Sequence, residues 1–465
     1  MLTPLVFFLA ADADFGNKRK QESWYRDQAK VAREVQVQHG QGTPGSSAAD
    51  YQAAWDACIP VDGFGVGKER DVGTRQVTSA MRSIRPNQKI RPRRTPLAES
   101  CVSLGASPED PLFASMQEQG CALVQRCQAA VPYLISGSQR AVGSSPLGPY
   151  SEWRIEGDSG RRSGEFLVLA RIALIDGWLQ GGREDPAILA ERALVVLRFG
   201  RDLARGSNGS DLRVAIGIQD LALQMLHRVV QDPALSPELA LRVAEGLEAE
   251  HATPVDLSDT VRVDFLITTA SIWAASKPKA KILKEAPLMV APGGPAWDPE
   301  AWEMPKVAGP VVSAYLEDQH FPTWSLLVSE MGTEYSANRD LLDQAGTQML
   351  PDPDGGVRAE LQGMVANGLM SRIERMHRWN LDQSLIESRV CLLATAARVR
   401  VQQPGGACAK DPMLNMDWGQ DADAAGTLLW SPALEQIELS RSQQSFLEID
   451  VRFDAQAPPS PGAPL

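Results

Sequence analysis

The sequence predicts a mainly α protein: a helical-hairpin body, solenoid-like or bundle-like, followed by a small β-containing C-terminal unit. Three observations predict it. Between Ser163 and Ser276 apolar residues return at helical spacing. Helix starts there recur about every 20 to 26 residues, the size of the hairpins that build helical solenoids. From Leu447 to Phe453 the period becomes two, with Leu447, Ile449, Val451 and Phe453 on one face and Glu448, Asp450 and Arg452 on the other, as in a half-buried strand.

The body opens with a helix over Glu165 to Gln180, apolar on nearly all faces and ended by Gly181 and Gly182. The next opens at Asp185 and Pro186, an N-cap acceptor followed by proline at the first helical position, and closes at Gly206. Its buried stripe includes Leu189, Ala193, Val196 and Leu203. A third starts at Ser210 or Asp211 and runs to Gln231, and a fourth runs from Ser236, Pro237 and Glu238 to near His251. A fifth spans Ser258 to Ser276. Each of the first four carries an interior glycine (Gly177, Gly200, Gly217, Gly246), which close approach between helices would explain.

Around this body the chain divides by composition. Residues 1–14 are apolar; 15–150 read as an irregular, partly helical region; 151–402 are the all-helical body; 403–454 the β-containing unit; and 455–465 a disordered tail. Within the first region, Gly40 to Pro111 is rich in Gly, Pro, Ser and charge and is expected to contribute little to a core, while Pro111 to Ile135 reads as helical. Within the body, 277–310 form a proline-rich loop. Helices resume over Val311 to His320, Thr323 to Met349 and Gly356 to Arg400, and short strands at Thr427 to Trp430 and Gln436 to Leu439 are candidate partners for Leu447 to Phe453.

The 465 residues, 43% hydrophobic and 22% charged, suffice for a sizeable core. A net charge of −12 excludes nucleic-acid binding through the overall field. The most apolar internal stretch, Phe166 to Leu179, is interrupted by Arg171 and Asp176, so no transmembrane span is expected. The start, Met1 to Asp14, resembles the back half of a secretory signal without its basic front half. Read as a truncated signal, it places the protein in the periplasm or cell envelope; read as an apolar first strand or tether, it leaves the protein cytoplasmic. Six cysteines without a C-x-x-C pair exclude zinc-ribbon and thioredoxin-type sites. In an oxidising compartment Cys121 with Cys127, or Cys391 with Cys408, are candidate disulfides; in the cytosol all six are buried thiols.

The stretches Arg192 to Gly206, Ala215 to Leu223 and Asp232 to Leu239 resemble a loose group of uncharacterised bacterial envelope-associated α-helical proteins. The resemblance covers about residues 150–266, with a fainter match in a C-terminal long helix, Asp411 with Pro412, and short strands. It implies a helical body in the envelope and carries no activity, because its motifs are packing motifs. The group's Gly-x-Tyr-Pro element after the long helix is replaced here by a stretch from Gln403 that reads Gln-Pro-Gly-Gly.

Several partial motifs fall short of chemistry. Lys68 follows glycines at 63, 65 and 67, but Asp62 stands where a phosphate loop needs its first glycine and Glu69 where it needs Ser or Thr. Gly157, Asp158, Ser159 and Gly160 match a serine-protease nucleophile segment, yet the sequence beyond is helical and no histidine lies in a matching context. The basic residues Arg82, Arg85, Lys89, Arg91, Arg93 and Arg94 alternate with prolines and lack the aromatic platforms that stack bases. Asn415, Asp417, Asp421 and Asp423 echo half a calcium loop, with Pro432 where the bidentate Glu belongs.

The sharpest pattern is three Glu-x-x-His pairs: Glu248 with His251, Glu317 with His320, and Glu374 with His377. Each pair shares a helix face, and two such pairs with two further glutamates build the di-metal site of ferritin-like bundles. Against that, His251 and His320 fall at helix ends, where an imidazolium meets the dipole. The leading expectation is a non-catalytic scaffold or protein-interaction protein of the bacterial envelope that binds a protein partner and holds no cofactor. The rival is a di-metal carboxylate oxidase or metal-binding protein.

Overall fold

The computed structural model describes residues 45–59, 68–84, 98–105, 110–114, 116–147, 158–181, 185–232 and 235–255, with separate positions within 257–263 and 379–401. All regular structure among them is helical. None of their helices is long and apolar enough to cross a membrane. The expected C-terminal strands, the loop 277–310 and the tail lie outside the described residues, as does most of the fifth helix.

The first five helices are α1 Ser47–Cys58, α2 Lys68–Ser83, α3 Glu99–Ser103, α4 Glu118–Cys127 and α5 Val131–Ser138, with 3-10 turns at Pro111–Ala114 and Gln128–Ala130. Four longer helices follow: α6 Asp158–Gly181, α7 Pro186–Ala204, α8 Gly209–Gln231 and α9 Pro237–His251. A C-terminal segment is continuously helical over 389–398. Buried apolar residues from α1 to this segment join one core.

The core forms around α6 and α7. On α6 Phe166, Ala170, Ala173, Leu174 and Ile175 are wholly buried, which places the helix inside, with α1, α2, α4, α5, α7 and α8 packed about it. It begins at Asp158, earlier than the expected Glu165, because its first turns are polar and carry no apolar period for a pattern to catch. The α7 and α9 caps match expectation: Asp185 Oδ1 accepts from Ala187 N at 2.9 Å, and Ser236 Oγ accepts from Leu239 N at 3.2 Å. The α8 cap is Asn208, upstream of the expected Ser210 or Asp211, and its Oδ1 accepts from the backbone N–H of both at 2.9 and 3.0 Å.

Close helix approach accounts for three of the four interior glycines. A Cβ on Gly177 would lie 2.8 Å from Arg192 Cγ of α7, on Gly200 2.8 Å from Gln219 Cγ of α8, and on Gly246 2.9 Å from Leu194 Cδ1 of α7. Gly217 faces open space, and nothing in the structure explains it.

The N-terminal region corrects the sequence reading. Its described part is three helices before Pro111, and they build core: Tyr51 and Ala54 of α1, Val77 and Ala80 of α2, and Ile84 just beyond it are wholly buried. The signal was present as apolar steps of three and four residues, at 51, 54, 58 and at 77, 80, 81, 84. Surrounding Gly, Pro and charge diluted it in a composition-based reading.

Two disulfides close this layer onto α4. Cys58 bonds Cys127 and Cys101 bonds Cys121, with Cα–Cα distances of 4.4 and 5.1 Å. The expected Cys121 to Cys127 bond is therefore wrong. Six residues along one helix put about 9 Å of rise and a rotation onto different faces between them, beyond the roughly 7 Å a disulfide spans. Cys391 is disulfide-bonded as well, to a partner outside the described residues, which is where Cys408 lies. By loop length alone, bonds spanning 69 and 20 residues stabilise by about 4 and about 3 kcal/mol when each is taken singly.

Candidate functional site: a buried polar cluster

The helical spacing of α7 puts Arg198, Arg201, Asp202 and, just beyond its end, Arg205 at steps of three and four residues, so the C-terminal half of the helix carries a charged stripe. Arg201 and Asp202 are wholly buried, a position such residues reach only when paired. Each is met by groups from distant elements.

Asp202 faces α1. The Tyr51 hydroxyl donates to its Oδ2 at 2.8 Å, and Arg198 Nε and Arg205 Nη1 lie 3.4 and 3.9 Å from its Oδ1. Two glycines make room: Cβ atoms on Gly137 and Gly143 would collide with the Tyr51 ring and with the Asp202 carboxylate. The Tyr51 ring then packs on Phe199, centroids 4.7 Å apart, and Phe199 in turn on Phe166. Burial raises the carboxyl pKa of Asp202, outweighing the arginines and the tyrosine that favour its charge. Burial, then Asp202, pushes the Tyr51 phenol well above its ordinary value, so it remains a neutral donor.

Arg201 faces the other way. Its Nη2 donates to the Thr253 carbonyl at 2.9 Å just beyond α9, its Nη1 lies 3.0 Å from Glu387 of the C-terminal segment, and its Nε lies 3.3 Å from Glu250 of α9. Glu250 also lies 3.4 Å from Arg198. Gln383 Nε2 donates to Glu387 Oε1 at 2.9 Å, fixing that carboxylate from behind. Three arginines thus face three carboxylates, and each charge lies within 3.9 Å of an opposite one. Such a cluster specifies which helices meet and in what register. Removing one member leaves another charge buried, at a cost of about 3–5 kcal/mol.

Of the Glu-x-x-His pairs, the structure describes Glu248 with His251; the pairs at 317/320 and 374/377 lie outside the described residues. Glu248 takes a two-pronged bond from Arg398, at 2.5 and 2.6 Å, which occupies both oxygens a metal would need. His251 Nδ1 lies 3.9 Å from Glu387 Oε2. Among the described residues no three His, Cys, Asp or Glu side chains are grouped to hold a metal. Ser159 sits in the first turn of α6, Lys68 begins α2 and Arg82 is exposed in its last turn. The glycines before Lys68, the other five basic residues and the half calcium loop lie outside the described residues.

Sequence reasoning missed the cluster itself. The four charges of α7 were visible as a polar stripe, but their partners lie 52 and 186 residues away, and no local pattern joins them.

Fold and site together define, among the described residues, a helical protein with a buried cluster of arginines and carboxylates that pair with one another. Comparison with known proteins gives no matching family model, no matching curated protein and no matching solved structure.

Proposed function

We propose that the protein is a non-catalytic scaffold: a helical-hairpin body that presents surfaces to a protein partner, in an oxidising compartment of the bacterial envelope. The observation that carries this reading is the internal pairing of the polar cluster. Its charges bridge α7, α9 and the C-terminal segment, with Tyr51 of α1 bonded to one of them, leaving no described carboxylate or arginine of the cluster without an opposite charge beside it. A catalytic centre keeps groups poised for a substrate; this arrangement uses them to hold helices in register. The compartment is supported by the two cross-links of the N-terminal layer, since cytosolic thiols are held reduced.

Two measurements on protein taken from its own cells test the proposal. Alkylation before lysis, followed by mass spectrometry, is expected to find Cys58, Cys101, Cys121 and Cys127 oxidised; free thiols at these positions sink the envelope assignment. Metal analysis is expected to find no stoichiometric iron or manganese. Such a metal, lost in both His251→Ala and His377→Ala, sinks the scaffold reading in favour of di-metal chemistry.

A further inference from the structure

We propose that the protein reaches its fold as the substrate of a thiol–disulfide isomerase, a partner whose reactive thiolate sits in an apolar peptide-binding cleft. The observation behind this is the order of pairing. In the N-terminal layer the first cysteine bonds the fourth and the second bonds the third, Cys58 with Cys127 and Cys101 with Cys121. A chain delivered N-terminus first into an oxidising compartment presents Cys58 and Cys101 together before Cys121 and Cys127 follow. The bonds that form in that order, Cys58 with Cys101 and Cys121 with Cys127, are both wrong. Loop length favours the same error: Cys58 to Cys101 is a shorter loop than Cys58 to Cys127, and Cys121 to Cys127 a shorter one than Cys121 to Cys101, so each closes at less cost in chain entropy.

The wrong set cannot coexist with the fold. Cys121 and Cys127 both lie on α4, too far apart along the helix for a disulfide, so a bond between them and the helix exclude each other. Without α4, Leu123 and Val124 lose their buried places and α2 loses a helix it packs on. The mispaired stretch Cys121 to Cys127 thus offers an extended, partly apolar peptide that carries its own disulfide, which is the feature an apolar cleft with a thiolate would recognise. In the finished fold Cys101, Cys121 and Cys127 are wholly buried and Cys58 is nearly so. A partner's thiolate no longer reaches them, so exchange stops once the pairing is right.

Three exchanges connect the two sets with no net oxidation. The partner's thiolate attacks Cys127 Sγ, forming a mixed disulfide, and Cys121 leaves as a thiolate. Cys121 attacks Cys101 Sγ, forming the first native bond and releasing Cys58 as a thiolate. Cys58 attacks Cys127 Sγ in the mixed disulfide, forming the second native bond and returning the partner's thiolate. Two disulfides enter and two leave. The inference rests on the oxidising compartment proposed above, but it fails separately: free thiols in cells sink the compartment, whereas the pairing reached on refolding tests the isomerisation.

The reduced full chain, diluted from urea into diamide with no thiol present, is expected to stop with Cys58 bonded to Cys101 and Cys121 to Cys127, read by mass spectrometry of unreduced peptides. A catalytic amount of purified, reduced thiol–disulfide isomerase is expected to convert that set to the native one with no change in the number of disulfides. Its rate is expected to exceed that of reduced glutathione at equal thiol concentration by about tenfold or more, the margin that separates a partner with a cleft from a bare thiol. Native pairing in diamide alone, a wrong set that the isomerase leaves unchanged, or equal rates with isomerase and glutathione overturns the proposal.

Discussion

The two ends of the described chain pack on the same central helices and are held in shape by different chemistry. The N-terminal layer, α1 to α5, is closed by covalent bonds at Cys58, Cys101, Cys121 and Cys127, all nearly or wholly buried. The C-terminal segment is closed by arginine–carboxylate pairs placed along a buried stripe of Ile386, Val390, Leu393, Ala394 and Ala397. A short layer of small helices buries too little surface to be secure alone, and cross-links limit what it gains by unfolding. The segment has a large apolar face; its charges add register, with each pair naming one helix. The segment carries a disulfide of its own at Cys391, so the contrast lies in the contacts made with neighbouring helices: cross-links between helices within the layer, charge pairs along the segment.

The largest expected break in that comparison is at Arg201. Arg201→Met keeps the bulk and removes the charge, taking the arginine from Glu387 and leaving Glu250 with Arg198 alone, and is expected to cost about 3–5 kcal/mol in urea unfolding, with exchange rising first at 389–398. Unfolding within 1 kcal/mol of the parent, on the order of a surface substitution, would show the pairs to be ornamental. Next is the double change Cys101→Ser with Cys121→Ser, which frees a 20-residue loop and is expected to cost about 3 kcal/mol while leaving the segment's exchange unaltered. Tyr51→Phe follows. It deletes the bond to Asp202 between the layer and α7 and is expected to cost about 2 kcal/mol, the scale of a hydrogen bond to a charged group.

A pH series sharpens the contrast. The folded-state pKa of Asp202 is raised, so its contribution to stability is full below the unfolded value and is lost as pH rises through the folded one. The His227 pKa is lowered, so its contribution is full above pH 6.5 and is lost as pH falls toward about 4. Asp202→Asn is expected to flatten the first slope and His227→Gln the second, read as the pH dependence of the thermal midpoint. A single slope of one sign, unmoved by either variant, would show that neither group couples to folding. The smallest effect is expected at a cap: Ser236→Ala removes the acceptor for Leu239 N and should cost about 1 kcal/mol.

What the sequence made legible was local. Asp185 with Pro186, and Ser236 with Pro237, marked helix starts because capping is chemistry between neighbours. The α8 start was misplaced by one or two residues because the cap Asn208 comes just after Gly206, whose φ of 61° turns the chain first, and glycine before a cap reads equally as loop. The disulfide pairing was not legible, since six cysteines allow 15 pairings and helix geometry eliminates only some. The polar cluster was half legible: α7 announces its charged stripe, whereas Tyr51, Glu250 and Glu387 are ordinary residues of their own helices until folding brings them together.

The disulfide arrangement also has a mechanical consequence. The bond between Cys58 and Cys127 encloses the one between Cys101 and Cys121, so the oxidised chain contains a ring within a ring. A load applied along the chain crosses from residue 58 to residue 127 through one sulfur–sulfur link and bypasses everything between, α2, α3 and most of α4 included. Full extension is shortened by about 230 Å, 69 residues at about 3.4 Å each, and reduction would return that slack to the chain.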